Sequence, residues 1–311
     1  MKKTFLVTGA MGCLGAWVLA HLVREGAQAV SFDLSANRHR LDMLLTPEEQ
    51  ALIQFVAADL TDKGQVLDVF QMHEVTHVIH LAALQVPFCK ADPVRGAQVN
   101  VTGTVNVFEA AREAGIKHLA YASSIAVYGP PDVYPAGPLS PDAPPAPRTL
   151  YGVYKVANEG TARIYWADHG ISSIGLRPYT IYGVGRDQGL TSDPTKAMLA
   201  AARGEPFEIG FGGAMQFQWA SDVAQQFIEA ALHPLAGAQV FNFDTASTSI
   251  DEVIRVIRSV KPGAQVTHTE NRLPFPDRIQ PGGLRDHLPR IFETPLEEGV
   301  RQTIGLFETL M

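Results

Sequence analysis

Cysteine is nearly absent, with Cys13 and Cys89 the only two in 311 residues. That excludes a disulfide framework or a zinc site built on thiolates, and a reducing cytoplasm fits best. Basic charge is also short, 25 Lys and Arg against 32 Asp and Glu, for a net charge of −7. The deficit argues against a nucleic acid or an anionic membrane held by bulk electrostatics, but not against a small anion at a locally positive site. Long hydrophobic runs are missing as well. The apolar stretch Phe5–Ala20 follows Lys2 and Lys3 and looks at first like a leader or a membrane span. Gly9, Gly12 and Gly15 interrupt it, and no small-residue cleavage site follows before Arg24 and Glu25. Without a secretory route the Asn100-Val101-Thr102 sequon has no use. What remains is 46% hydrophobic and 18% charged, the make-up of a folded chain with one large core or two lobes sharing a cleft.

Short apolar runs alternate with helical patterns through the first half. Strands are expected at Thr4–Thr8, Ala27–Phe32, Ile53–Ala57, His77–Leu81, Leu119–Ala122 and Ser172–Leu176. Helices are expected at Leu14–Arg24, Gln65–Met72, Val94–Ala114 and Tyr151–His169. Strands apolar on both faces and alternating with helices indicate an α/β fold, a doubly wound parallel sheet of Rossmann type. The proline-dense segment Pro130–Pro147 reads as a surface loop. Beyond Tyr179 the alternation lapses. Helices are expected at Pro194–Arg203, at Ser221–Leu232 with Ser221 as cap, at Asp251–Val260 behind a Ser249/Glu252 capping box, and at Pro295–Leu310. One more strand falls at Val240–Phe243. The expected division is a dinucleotide-binding unit over 1–178 and about 216–261, with a smaller, mostly C-terminal substrate-binding lobe over about 179–215 and 262–311.

The chemistry concentrates in three places. Gly9-Ala10-Met11-Gly12-Cys13-Leu14-Gly15 joins the first strand to the first helix. Glycines there let the backbone turn sharply and approach a pyrophosphate, which the helix N-terminus stabilises. The spacing G-x-x-G-x-x-G is one residue wider at its start than the usual dinucleotide fingerprint. Asp33, ending the second strand, is placed to accept hydrogen bonds from both adenosine ribose hydroxyls and to repel a 2′-phosphate, which favours NAD over NADP; Arg38 a few residues on softens that preference. Tyr151 and Lys155 lie one helical turn apart and face one side. Bringing a phenol from pKa ~10 to neutrality takes roughly 4 kcal/mol. A lysine cation about 4 Å away supplies a term of that size at an effective dielectric of ~20. Ser123 and Ser124 sit at the carboxyl end of a sheet strand, where ligands of open α/β sheets bind.

In this order and spacing, these elements resemble the extended short-chain dehydrogenase/reductase family over nearly the whole chain. The resemblance implies Tyr151 as acid/base, Lys155 as its partner and ribose ligand, and Ser124 as the catalytic hydroxyl, since it stands four residues before Tyr128 as in the family's epimerases. It implies further cofactor contacts at Asp59-Leu60, at Leu81-Ala82-Ala83, at Asn100 and at Pro178. Ser123, Tyr179, Thr180 and Arg186 would face the substrate, with Arg186 or Arg177 gripping any carboxylate. A homodimer through the helices Val94–Ala114 and Tyr151–His169 is implied as well.

Two departures narrow the chemistry. Ile125 and Ala126 stand where the family's dehydratases carry an Asp-Glu pair, and neither moves a proton. Gly213–Trp219 lacks the arginine with which nucleotide-sugar members grip a diphosphate. A small polyol, sugar acid or hydroxy acid is the expected substrate, oxidised or reduced by NAD-linked hydride transfer. An epimerase is the alternative, and a non-catalytic NAD-sensing regulator a third reading that the presence of both Tyr151 and Lys155 disfavours. His73-Glu74-Val75-Thr76-His77 matches a zinc-protease signature in letters, but it straddles a helix end and a strand start, so no metal is expected. Trp166 and Trp219 are expected in the core.

Overall fold

Phe5, Leu6 and Val7 are all buried, so the first strand is covered on both faces, the mark of a central strand in a parallel sheet with helices above and below. The computed structural model describes residues 3–311, so Lys2 lies outside it. Strands β1 (Thr4–Thr8), β2 (Gln28–Asp33), β3 (Ile53–Ala57), β4 (His77–His80), β5 (His118–Ala122) and β6 (Ser172–Arg177) enter one seven-stranded sheet. β7 (Thr180–Tyr182), β8 (Phe207–Ile209) and β9 (Ala214–Trp219) lie outside it, and β10 (Ala238–Asn242) returns to its edge. The order is β10-β6-β5-β4-β1-β2-β3, every pairing parallel. Strand order reverses between β1 and β4, so their carboxyl ends leave a crevice, the position where such sheets take ligands.

One face of the sheet is packed by helices α1 (Cys13–Arg24) and, later in the chain, Ala220–Leu232. The other is packed by α2 (Lys63–Met72), α3 (Gly103–Glu113) and α4 (Leu150–His169). In α4 the buried residues Gly152, Lys155, Asn158, Glu159 and Ala162 follow helical spacing, which turns the lysine inward. Thr149 caps its start by accepting from the Gly152 amide at 3.0 Å. The segment expected as one helix over Val94–Ala114 is interrupted: Gln98–Thr102 widens into a π-helical turn between Pro93–Ala97 and α3. Within that turn the Asn100 side chain bonds both backbone groups of Leu84, at 2.7 and 2.9 Å.

The remaining elements build a smaller lobe. A three-stranded sheet pairs β9 with β7 and with β11 (Ser247–Ser249), and a two-stranded one pairs β8 with β12 (Val266–His268). Helices α5 (Asp193–Arg203), α6 (Ala220–Leu232), α7 (Ile250–Val260) and α8 (Leu296–Thr309) complete the chain. Thus β9 pairs, and α7 packs, with smaller-lobe elements rather than with the large sheet, although sequence patterning groups them with it. Ser221 does not cap α6. The helix starts at Ala220, and the Ser221 hydroxyl instead meets His21 Nε2 of α1 at 2.9 Å. Ser249 does cap α7, whereas Glu252 turns outward to Arg255, so only half the box forms. Pro295 precedes the first turn of α8. Among the described residues no helix is long and apolar enough to cross a membrane.

Candidate active site

The glycine turn is shaped by steric necessity. Gly9 has φ +68°, and a Cβ there would sit 2.7 Å from the Ala82 backbone. A Cβ at Gly15 would lie 2.2 Å from the Gly9 carbonyl oxygen. The loop therefore folds tightly against both α1 and the segment after β4. Gly12 precedes α1 with no side-chain cap and no acidic residue in the first turn, so that turn presents amides to an anion. Asp33 is locked at the edge of the same crevice. One carboxylate oxygen accepts from the Met11 amide at 2.9 Å and the other from the Ser35 amide at 2.8 Å. An uncapped helix end beside a fixed carboxylate suits the pyrophosphate and adenosine ribose of NAD.

A cleft of about 440 Å³ runs from this loop across the carboxyl ends of the strands. Its walls include Gly9, Gly12, Cys13, Leu14, Gly15, Asp33, Asp59, Leu60, Leu81, Ala82, Ala83, Ser123, Ser124, Tyr151, Lys155, Pro178, Tyr179 and Arg186. Burial pushes the Asp59 carboxyl up, but Thr61 and the ion pair with Arg95 at 3.1 Å outweigh it and hold it below the usual range. Burial pushes the Cys13 thiol up to about 11, which leaves it unreactive.

Other residues expected at the site are engaged by the protein itself or stand off the cleft walls. Met11 contributes its amide to Asp33 and its carbonyl to Arg40, and its side chain is buried. Arg38 stacks over Phe55, 3.5 Å from the ring centroid, and does not line the cleft. Asn100 is fully buried, off the cleft walls, and its side chain holds the Leu84 backbone of the post-β4 loop. Thr180 is buried in the small sheet, away from the cleft walls. Arg177 is not a free cation, because it forms a two-pronged pair with Glu159 at 2.8 and 2.7 Å inside the protein. Ser123 donates to the same glutamate at 2.5 Å, so its proton is committed. His73 caps the end of α2 and bonds Gln54, while His77 opens β4 beside Thr76. Trp166 is 40% exposed, not a core residue.

Ser124, Tyr151 and Lys155 converge. Lys155 Nζ donates to the Ala122 carbonyl at 2.6 Å and stands 5.5 Å from the Tyr151 ring centroid. Burial lowers its pKa to about 8, against the raising influence of Cys89 and Glu159. Burial raises the Tyr151 phenol, opposed by the Ser124 hydroxyl and the Arg186 charge. With the chain's own groups alone, desolvation sets the direction, and the opposing groups are Ser124 and Arg186 rather than the lysine that spacing points to. Around this trio stand residues that sequence patterning does not reveal. Glu159, one turn beyond Lys155 on α4, had a helical-spacing signal; Gln85, Leu190, Thr191 and Phe275 had none. Arg40 spans from the glycine loop to the loop after β7, bonding Met11 O at 2.7 Å, Gly185 O at 3.0 Å and Asp187 at 2.6 Å.

A model of the NAD dependent epimerase/dehydratase family matches residues 5–243. The UDP-glucose 4-epimerase of Mycolicibacterium smegmatis is 29% identical, covering 97% of both chains. Among solved structures, the Thermus thermophilus UDP-glucose 4-epimerase in complex with NAD superposes with TM-score 0.83 at 23% identity, over 99% of this chain and 100% of that one. The L-threonine dehydrogenase of Clostridium difficile superposes with TM-score 0.87 at 21% identity, over 99% and 98%. At such identities these two structures speak to the fold alone.

Proposed function

The chain belongs to the NAD dependent epimerase/dehydratase family, and from that premise we propose that it oxidises or reduces a secondary alcohol of a small polyol, sugar acid or hydroxy acid. It is an NAD-dependent enzyme of the extended short-chain dehydrogenase/reductase type. NAD, when bound, accepts or returns the hydride. The protein's part is to hold the alcohol and move its proton. Ser124 orients the reacting oxygen, Tyr151 takes its proton in oxidation or donates one in reduction, and Lys155 binds the ribose and adds positive charge beside the phenol. The observation that carries this reading is the convergence of Ser124, Tyr151 and Lys155 on one cleft that also holds the uncapped α1 terminus and Asp33.

Dehydration has no support, because Ile125 and Ala126 are buried and apolar. A diphosphate grip has little, because Met215 and Phe217 are buried and Gln216 and Gln218 bond each other at 3.2 Å. The second reading is an epimerase that oxidises and re-reduces one carbon with the same groups, and the similarity to UDP-glucose 4-epimerase along 97% of the chain favours it. Net NADH accumulation on a panel of sugar acids and polyols with NAD separates the two: it occurs for the dehydrogenase and not for the epimerase. Full activity of Tyr151→Phe on the true substrate would refute both.

We further propose a cytoplasmic homodimer. Two free thiols suit a reducing compartment. The exposed apolar side chains Phe88, Val94, Leu150, Val153, Ile164 and Trp166, several of them on α4, suit burial against a second copy.

A further inference from the structure

Arg186 stands on the loop between β7 and α5 and lines the cleft together with Tyr151. Among the described residues no carboxylate pairs with it. Its neighbour Asp187 is taken by Arg40 at 2.6 Å and His39 at 3.0 Å. One guanidinium nitrogen donates to the Thr191 hydroxyl at 3.1 Å, and Nε is enclosed without a partner. Arg186 is half-buried, and a cation partly withdrawn from water with no counter-charge is costly unless a ligand supplies one. Gln85, just ahead of the helix Val86–Ala91, carries a second unpartnered atom, its enclosed Oε1. The two side chains meet at Gly189, where a Cβ would come 2.1 Å from Gln85 Oε1 and 3.1 Å from the Arg186 guanidinium. Gly189 has φ +99°, and Gln85 Oε1 fills the place a side chain would take, so the loop needs glycine there on both counts. Leu190 and Phe275 line the same cleft, and Tyr179 is tied to the Pro276 carbonyl at 2.8 Å.

A guanidinium with no carboxylate partner and its Nε enclosed, beside an amide oxygen in want of a donor, describes one kind of molecule. We propose that the substrate is a polyhydroxy carboxylic acid, its carboxylate held by Arg186 and a non-reacting hydroxyl donating to Gln85 Oε1. The inference rests on the hydride-transfer reading above and narrows its substrate class. Oxidation removes a hydride from the carbinol carbon to NAD and the hydroxyl proton to Tyr151, leaving an oxo acid and NADH. The competing anion is the pyrophosphate of NAD itself, since Arg186 also lies near Cys13 of the glycine loop.

The test offers the holoprotein a series of short aldonates, the polyols in which the carboxylate is reduced, and 2-hydroxy acids without further hydroxyls. NADH formation is followed, with calorimetry of NAD binding alongside. An aldonate is expected to exceed its polyol in kcat/KM by about 100-fold or more, the consequence of stranding a half-buried cation. Arg186→Met should remove that preference and leave NAD affinity unchanged, with Arg186→Lys falling between because it keeps the charge without the fork. Gln85→Ala should cut the preference for aldonates over plain 2-hydroxy acids by about tenfold. A loss of NAD affinity in Arg186→Met equal to its loss of activity would assign the arginine to the pyrophosphate and overturn the inference. Turnover of a neutral polyol or a nucleotide sugar as fast as an aldonate, abolished by Tyr151→Phe, would overturn the substrate class and leave the proposed reaction standing. NAD binding with no alcohol oxidised at all would overturn both.

Discussion

Replacing Lys155 by Met should make the protein more stable while destroying its activity. Lys155 is 2% exposed, and burial lowers its pKa from 10.5 to about 8. At 1.36 kcal/mol per tenfold change in proton affinity, keeping it charged in the fold at neutral pH costs about 3 kcal/mol. Methionine carries no such cost. It forfeits the hydrogen bond to the Ala122 carbonyl, worth about 1 kcal/mol. Glu159 is not stranded, because Arg177 already holds both of its oxygens. The net gain is about 2 kcal/mol at pH 7, which for a chain of this length raises Tm by roughly 3 °C. The gain must also depend on pH in one direction. Between about 8 and 10.5 the unfolded lysine binds a proton that the folded one does not, so the wild type gains stability as pH rises through that window. Lys155→Met gains nothing from this group. The difference in Tm, measured by thermal unfolding without added NAD, should be largest at pH 7, shrink as pH rises past about 8 and reverse near pH 10, where only the lost hydrogen bond to Ala122 remains. A variant less stable than wild type at pH 7, or a gap that ignores pH, would refute the reasoning.

Other consequences are as direct. The raised phenol of Tyr151 implies that kcat/KM for oxidation climbs with pH through the neutral range, as the ionised fraction grows, while reduction favours low pH; a flat pH–rate profile would count against Tyr151 as the base. Asp33→Ser releases a carboxylate fixed by two amides, so NAD affinity should fall about tenfold and NADP become a usable cofactor, read from the two KM values. Glu159→Ala strands Arg177 in the interior and should cost about 3–5 kcal/mol in denaturant unfolding. Ile164→Asp places a charge among the exposed apolar residues of α4 and should convert a dimer to monomer in light scattering without altering the fold's circular dichroism.

Local chemistry was legible where one residue type solves one problem. Glycines at a strand–helix turn, an acid at the end of the next strand, and a tyrosine and lysine one turn apart carry their meaning in spacing, because the parallel sheet brings strand ends to one edge whatever the side chains beyond. The errors fall where a side chain had a choice of partner. Ser221 had helix amides to cap and chose His21 from another helix. Asn100, expected against the cofactor, has its side chain bonded to the Leu84 backbone. Arg38 had a phosphate-reading position open to it and stacks on Phe55.

By itself, then, the order of residues determined the doubly wound sheet, the cofactor turn and the tyrosine–lysine pair, since these follow from periodicities of two and 3.6 and from backbone freedom at glycine. Only the tertiary structure decided which of two arginines is free. Arg177 and Arg186 are indistinguishable as letters, but one meets a buried glutamate four positions after Lys155 and the other, among the described residues, meets no carboxylate. It also decided that the phenol rises rather than falls, because desolvation depends on everything packed around a group and not on its neighbours along the chain.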